Sequence, residues 1–84
     1  MKRYIKKHKY LEVDFILVVE AGYENHSIMI DGDGITLEKE TRTKNLKDSI
    51  DSIIQEAEFI VDQRNNPEKT KAEIILEKLE FIAI

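Results

Sequence analysis

The tetrapeptide Asp31-Gly32-Asp33-Gly34 alternates carboxylates with glycines, as the start of a calcium loop does. An EF-hand loop also needs an oxygen ligand at its fifth position and a Glu at its twelfth. Here those positions hold Ile35 and Arg42. The stretch therefore reads as a tight hairpin turn, because Asp-Gly pairs accept the positive φ that such turns require. Asp31 and Asp33, with Glu38 and Lys39 nearby, also supply the residue types of a small metal-dependent enzyme, which is one alternative reading. Against it, acids at a turn and on the polar face of a strand are ordinarily just solvated. His8 and His26 lack the paired spacing of metal ligands, no Cys can complete a zinc site, and both histidines read as surface residues. Ser27 beside His26 makes no catalytic pair, since successive strand residues point to opposite faces. No catalytic residue, metal ligand or cofactor is assigned, and the chain reads as a protein that is not an enzyme.

A second set of residues acts through charge. Five of the thirteen basic residues, Lys2, Arg3, Lys6, Lys7 and Lys9, lie in the first nine positions, leaving eight against seventeen acids, a balance of −9, over residues 10–84. A cationic arm and an anionic body each attract partners of opposite sign. With Tyr4 and Tyr10 interleaved, the arm offers amines for phosphates and rings for bases, which makes nucleic-acid binding a further alternative. The acidic body opposes it by repelling a polyanion at close docking, and a pI of about 5.2 reverses the basic footprint of nucleic-acid-binding proteins.

The acids of the body are better ordered than the arm. Asp48, Asp51, Glu58 and Asp62 recur at a spacing that gathers them on one side of a helix, opposite a stripe of Leu46, Ile50, Ile53, Ala57 and Ile60. Phe59 falls among them, the pattern of a partner-binding anchor. These five residues are the candidate partner-binding site. The leading expectation is a non-enzymatic protein-interaction module whose acids stand in for phosphates on a basic protein surface, as an inhibitor of a nucleic-acid-handling protein does. Short, cysteine-free, acidic chains rich in Lys and Glu are often accessory proteins of phages and other mobile elements. The plain alternative is a solubilising helix face. In a second helix, Ile74 and Phe81 share a line opposite the main apolar stripe of Ala72, Ile75, Leu76, Leu79, Ile82 and Ala83. A helix apolar on two sides is either sandwiched or half of an interface, so Ile74 and Phe81 are the candidate homodimer contact.

The elements that must position these residues follow from periodicity. From Tyr10 to Glu20 a period of two marks a strand, with Leu11, Val13, Phe15, Leu17 and Val19 on one face. On its other face Glu12 and Asp14 are expected in solvent, whereas Ile16 and Val18 should be covered, for instance by a neighbouring subunit. A turn at Ala21 to Asn25, a second strand from His26 to Asp31, the Asp-Gly turn and a third strand from Ile35 to Glu40 complete a meander. Asn45 then caps an amphipathic helix of about five turns, which stops at Asn65 and Asn66. Asn66 and Pro67 start the second helix, which runs to the C-terminus. The expected fold is α+β: a three-stranded antiparallel meander followed by an antiparallel helix hairpin packed on one face (βββαα), with residues 1–9 as a basic arm or strand extension and residues 10–84 as a single domain.

The totals agree with one small domain. Eighty-four residues leave room for a single core, and the absence of Cys means that packing alone must hold it. The longest apolar stretch, Phe15 to Val19, is far short of the roughly 20 residues needed to cross a bilayer. The basic start is followed by no signal-peptide apolar run, because Glu12 and Asp14 interrupt it, so a cytoplasmic location is the default expectation.

Overall fold

A computed structural model describes residues 2–84; Met1, the first position of the basic segment, lies outside the described residues. The class is α+β, with one four-stranded antiparallel sheet in the order β1-β2-β3-β4 and two helices. The strands are β1 (Lys2–Tyr10), β2 (Val13–Ala21), β3 (Asn25–Gly32) and β4 (Ile35–Arg42). The meander thus has four strands where three were expected. The additional one is the basic segment, paired with β2 from Lys2 opposite Ala21 to Tyr10 opposite Val13.

The turn that separates β1 from β2 consists of Leu11 and Glu12, at φ 47° and 68°. Both sit in the left-handed region that side chains with a Cβ disfavour, and neither is the Gly, Asn or Asp that usually marks such a turn. The expected Asp-Gly turn forms at Asp33 and Gly34, with φ 50° and 79°. Gly32 has a different task. A Cβ there would lie 2.4 Å from the Asp14 carbonyl oxygen and 2.8 Å from Phe15 Cδ1, so β2 and β3 can approach only over a bare Cα.

After a single 3-10 turn at Thr43–Asn45, helix α1 (Leu46–Asn65) crosses one face of the sheet. Asn45 is its N-cap by position, but its side chain makes no capping bond. Phe15, Leu17, Ile28, Ile30 and Ile35 of the sheet close on Ile53, Ala57 and Val61 of the helix. That is the alternation of β2 and the 3.6-residue repeat of α1 meeting face to face.

Helix α2 (Lys71–Lys78) is shorter than its sequence suggests at both ends. Asn66 closes α1 instead of opening α2, and Pro67 sits in the connection. The N-cap is Thr70, whose hydroxyl accepts from the Glu73 backbone N–H, as in a Thr-x-x-Glu capping box. At the other end the Phe81 N–H reaches the Leu76 carbonyl and the Glu80 N–H the Glu77 carbonyl, with Glu80 at φ 66°. This is a Schellman stop, with Glu in the place that Gly usually takes.

Candidate functional site

The five residues expected on an open acidic face separate into two groups. Glu58 and Asp62 each follow a buried residue, Ala57 and Val61, by one position. At about 100° per residue they still stand well away from the stripe that faces the sheet, yet Asp62 is buried and Glu58 half-buried, because other elements reach them there. His8 of β1 bonds Glu58 through Nε2 at 2.9 Å. The Tyr10 hydroxyl donates to both oxygens of Asp62. Lys78 of α2 lies 3.1 Å from Asp62 and 3.6 Å from Glu58, with its ammonium 4.7 Å from the centre of the Tyr10 ring. These five side chains form a polar clasp that ties β1 and α2 to the same side of α1.

The clasp shifts two titrations. Burial pushes the Tyr10 phenol above its ordinary value, and the nearby Asp62 carboxylate adds to the rise, outweighing the opposing effect of Lys78. Burial pulls the Lys78 ammonium down, but its pairing with Tyr10 and Asp62 wins and leaves the pKa raised. Phe59 is half-buried, with the Lys71 ammonium of α2 4.9 Å above its ring, so it is not an open anchor. Only Asp48 and Asp51 remain exposed of the four acids, and Asp51 pairs with Lys47 one turn away.

Ile74 and Phe81 do not share a surface. Ile74 is buried against α1, whereas Phe81 lies beyond the end of α2 and is exposed. Lys78, one turn after Ile74, faces the same way, and its bonds to Asp62 and Glu58 fix the rotation of the helix. The residues expected to be its buried stripe, Ile75, Leu76, Leu79 and Ile82, consequently face outward, Leu79 and Ile82 at 64% and 87% exposure.

Both histidines are drawn inward, contrary to their expected surface positions. His8 is half-buried and stacks on Phe15 at 6.4 Å. His26 continues the inward phase of Ile28 and Ile30 on β3, is buried, and bonds the Thr43 hydroxyl at 2.7 Å; its Nδ1 finds no partner among the described residues. In the hairpin turn, Arg64 donates to the Asp33 carbonyl oxygen at 2.8 Å and lies 3.5 Å from its carboxylate, while Thr36 donates to Asp31. Among the described residues no group of His, Asp and Glu is placed to hold a metal ion, and no helix is long and apolar enough to cross a membrane.

The basic residues are distributed over both sides of β1. Lys2, Tyr4 and Lys6 lie on the helix side, where α1 leaves them exposed; Arg3, Ile5, Lys7 and Lys9 lie on the other. That second face of the sheet carries no helix. On it Ile5 stands opposite Val18 and Val18 opposite Met29, with Ile16 one step along β2. Ile16 and Val18, expected to be covered, are 48% exposed and half-buried respectively. Compared with known proteins, the chain matches no family, no curated protein and no solved structure.

Proposed function

We propose that the chain is a non-enzymatic protein-interaction module that binds its partner through α2 and the segment following it. The observation that carries this is the outward row of Ile75, Leu76, Leu79, Phe81 and Ile82, which are 41% to 87% exposed. Scattered exposed apolar residues mean little, but five within eight positions of a small domain are characteristic of a binding surface. Glu73 and Glu80 stand beside the row, so the partner that fits is a protein with an apolar groove and a basic rim. The non-enzymatic part of the reading is supported by the clasp, in which His8, Tyr10, Glu58, Asp62 and Lys78 are taken up in bonds to one another. Inhibition of a nucleic-acid-handling protein remains compatible with a basic-rimmed partner, although the acids available for it are those of α2 with Asp48 and Asp51. A phage or mobile-element setting rests on composition.

A photoreactive residue placed at Leu79 should crosslink to a partner in the source cell, whereas the same probe at Asp51 should not. Crosslinks confined to Asp51 would return the site to the acidic face of α1.

A second reading is favoured by one cleft, lined by Lys2, Tyr4, Ala21, Gly22 and Tyr23, with Tyr23 fully exposed. Two accessible rings beside an ammonium are a stacking site for single-stranded nucleic acid. Its signature is oligonucleotide binding that weakens with salt and disappears in Tyr4→Ala with Tyr23→Ala.

A further inference from the structure

We infer that the free edge of β1 takes up an acidic, extended protein segment as an added antiparallel strand of the sheet. In the strand order β1 has β2 as its one neighbour. It pairs with β2 residue for residue over nine positions, with no bulge or Pro to blunt the edge. The two-residue turn at Leu11 and Glu12 makes Tyr10 and Val13 a hydrogen-bonded pair. Pairs of that kind recur at every second residue, so the even-numbered residues of β1 direct their backbone N–H and C=O groups to β2. Arg3, Ile5, Lys7 and Lys9 direct theirs away from the sheet, as a row of open donors and acceptors. Lys2 to Lys7 are exposed, because α1 packs over β3 and β4 and reaches β1 through His8 and Tyr10.

The side chains select the sign of the occupant. β1 holds five Lys and Arg residues and no acid. Arg3 bonds Glu20 and Lys9 stands opposite Asp14, whereas Lys2, Lys6 and Lys7 stand opposite Ala21, Leu17 and Ile16. A strand laid along the edge brings its Cβ atoms to within about 5 Å of those of these three lysines, where opposite charges attract and like charges repel. Carboxylates therefore fit beside Lys2, Lys6 and Lys7, and apolar side chains beside Tyr4 and Ile5, which are 56% and 66% exposed. β1 laid against β1 of a second copy would set basic residues beside basic residues, the arrangement by which edge lysines keep like strands apart. β4, the opposite edge, mixes Glu38 and Glu40 with Lys39 and Arg42 and selects neither sign. Main-chain bonds would supply attachment and the alternate side chains selectivity, as in other added-strand complexes.

The probe is the end-blocked peptide Thr-Thr-Glu-Glu-Val-Phe-Thr-Glu, which in antiparallel register sets Glu beside Lys7, Lys6 and Lys2, Val beside Ile5 and Phe beside Tyr4. Amide exchange of the full chain, followed by NMR, is expected to slow at Arg3, Ile5 and Lys7 when the peptide is added. It should stay unchanged at Tyr4, Lys6 and His8, whose N–H groups already bond β2. Lys7→Pro removes one outward N–H where an edge strand tolerates Pro, and it should weaken binding roughly tenfold. Ile5→Pro supplies the same readout should Lys7→Pro fail to fold, with circular dichroism as the check. Lys6→Glu with Lys7→Glu should also weaken binding roughly tenfold, and should improve binding of the peptide made with Lys in place of Glu. A peptide that leaves the Arg3, Ile5 and Lys7 amides exchanging as before overturns the inference, as does a folded Pro variant that binds like the wild type. Slowing at the same amides without peptide, growing with chain concentration, would instead give the edge to a second copy. An oligonucleotide that displaces the peptide while leaving amide exchange unaltered would give the lysines to phosphate. Either result also overturns the acidic strand. None of these variants touches α2, so the β1 edge and the crosslinks at Leu79 can fail separately.

Discussion

The Tyr10 hydroxyl donates to both carboxylate oxygens of Asp62, at 2.9 and 3.0 Å, across 52 positions of sequence. This pair joins the first strand to the end of the long helix, and Lys78 adds the second helix to it. Removing one partner of a half-buried group leaves the others desolvated and unpaired, which costs more than the bond itself is worth. Asp62→Ala should therefore destabilise the chain by about 2 kcal/mol, and Tyr10→Phe by about 1 kcal/mol. In the double variant the losses should fall short of additive, as they do for residues in contact. Chemical denaturation of the four proteins measures the coupling; strict additivity would mean that the bond contributes nothing.

The same clasp predicts an alkaline weakness. The folded pKa values of Tyr10 and Lys78 are both raised, above ordinary values of 10.0 and 10.5. In each case the folded chain holds its proton more tightly than the unfolded chain. Their contribution to stability is complete below pH 10.0 and is lost as the pH rises through the two folded values. Melting temperature should thus fall more steeply above pH 10 in the wild type than in Lys78→Met or Tyr10→Phe. Parallel curves would count against the clasp as the titrating unit.

The parts of the fold legible in the sequence were those coded by side chains that act alone. Phe15 and Leu17 alternate, Ile53, Ala57 and Val61 repeat, and Asp33-Gly34 turns the chain. β1 carries no such code, because Ile5 is its only aliphatic residue, both faces are otherwise mostly basic, and the strand exists through its pairing with β2. The Leu11-Glu12 turn adds nothing local to reveal it. Glu58 and Asp62 show a comparable limit at the candidate site. A helical wheel places them away from the stripe that packs on the sheet, and only the positions of His8, Tyr10 and Lys78 decide whether that side faces water. Two signals were present in the sequence and pointed to other conclusions. Thr70 with Glu73 has the spacing of a capping box, and His26 shares the phase of Ile28 and Ile30.

The two glycines of the hairpin should respond differently to alanine. At Gly32 the new Cβ meets the Asp14 carbonyl oxygen at 2.4 Å, and backbone cannot step aside as a flexible side chain can. Gly32→Ala should cost about 2 to 3 kcal/mol by forcing β2 and β3 apart. At Gly34 the nearest atom is the end of Arg64 at 3.9 Å, so only the positive φ is unfavourable, at about 1 kcal/mol. Equal losses in thermal unfolding would contradict the close approach.

The Leu11-Glu12 turn is the place where the chain can be made more stable. Both residues sit at positive φ, the conformation a two-residue hairpin loop of this kind demands and the one that Asn and Gly adopt with least strain. Leu11 is 56% exposed and Glu12 also faces solvent, so replacing them removes little packing. Leu11→Asn with Glu12→Gly should relieve strain of order 1 kcal/mol or more, offset in part by the larger unfolded-state freedom of Gly. A net gain of about 1 kcal/mol corresponds to roughly 4 to 8 °C in melting temperature for a domain of this size. The opposite change, Glu12→Val, puts a β-branched side chain where positive φ is least tolerated. It should lower the melting temperature and loosen β1 first, which hydrogen exchange at the β1 amides would register before those of β3. If Asn-Gly destabilised the chain instead, β1 and β2 would have to be joined by a different turn.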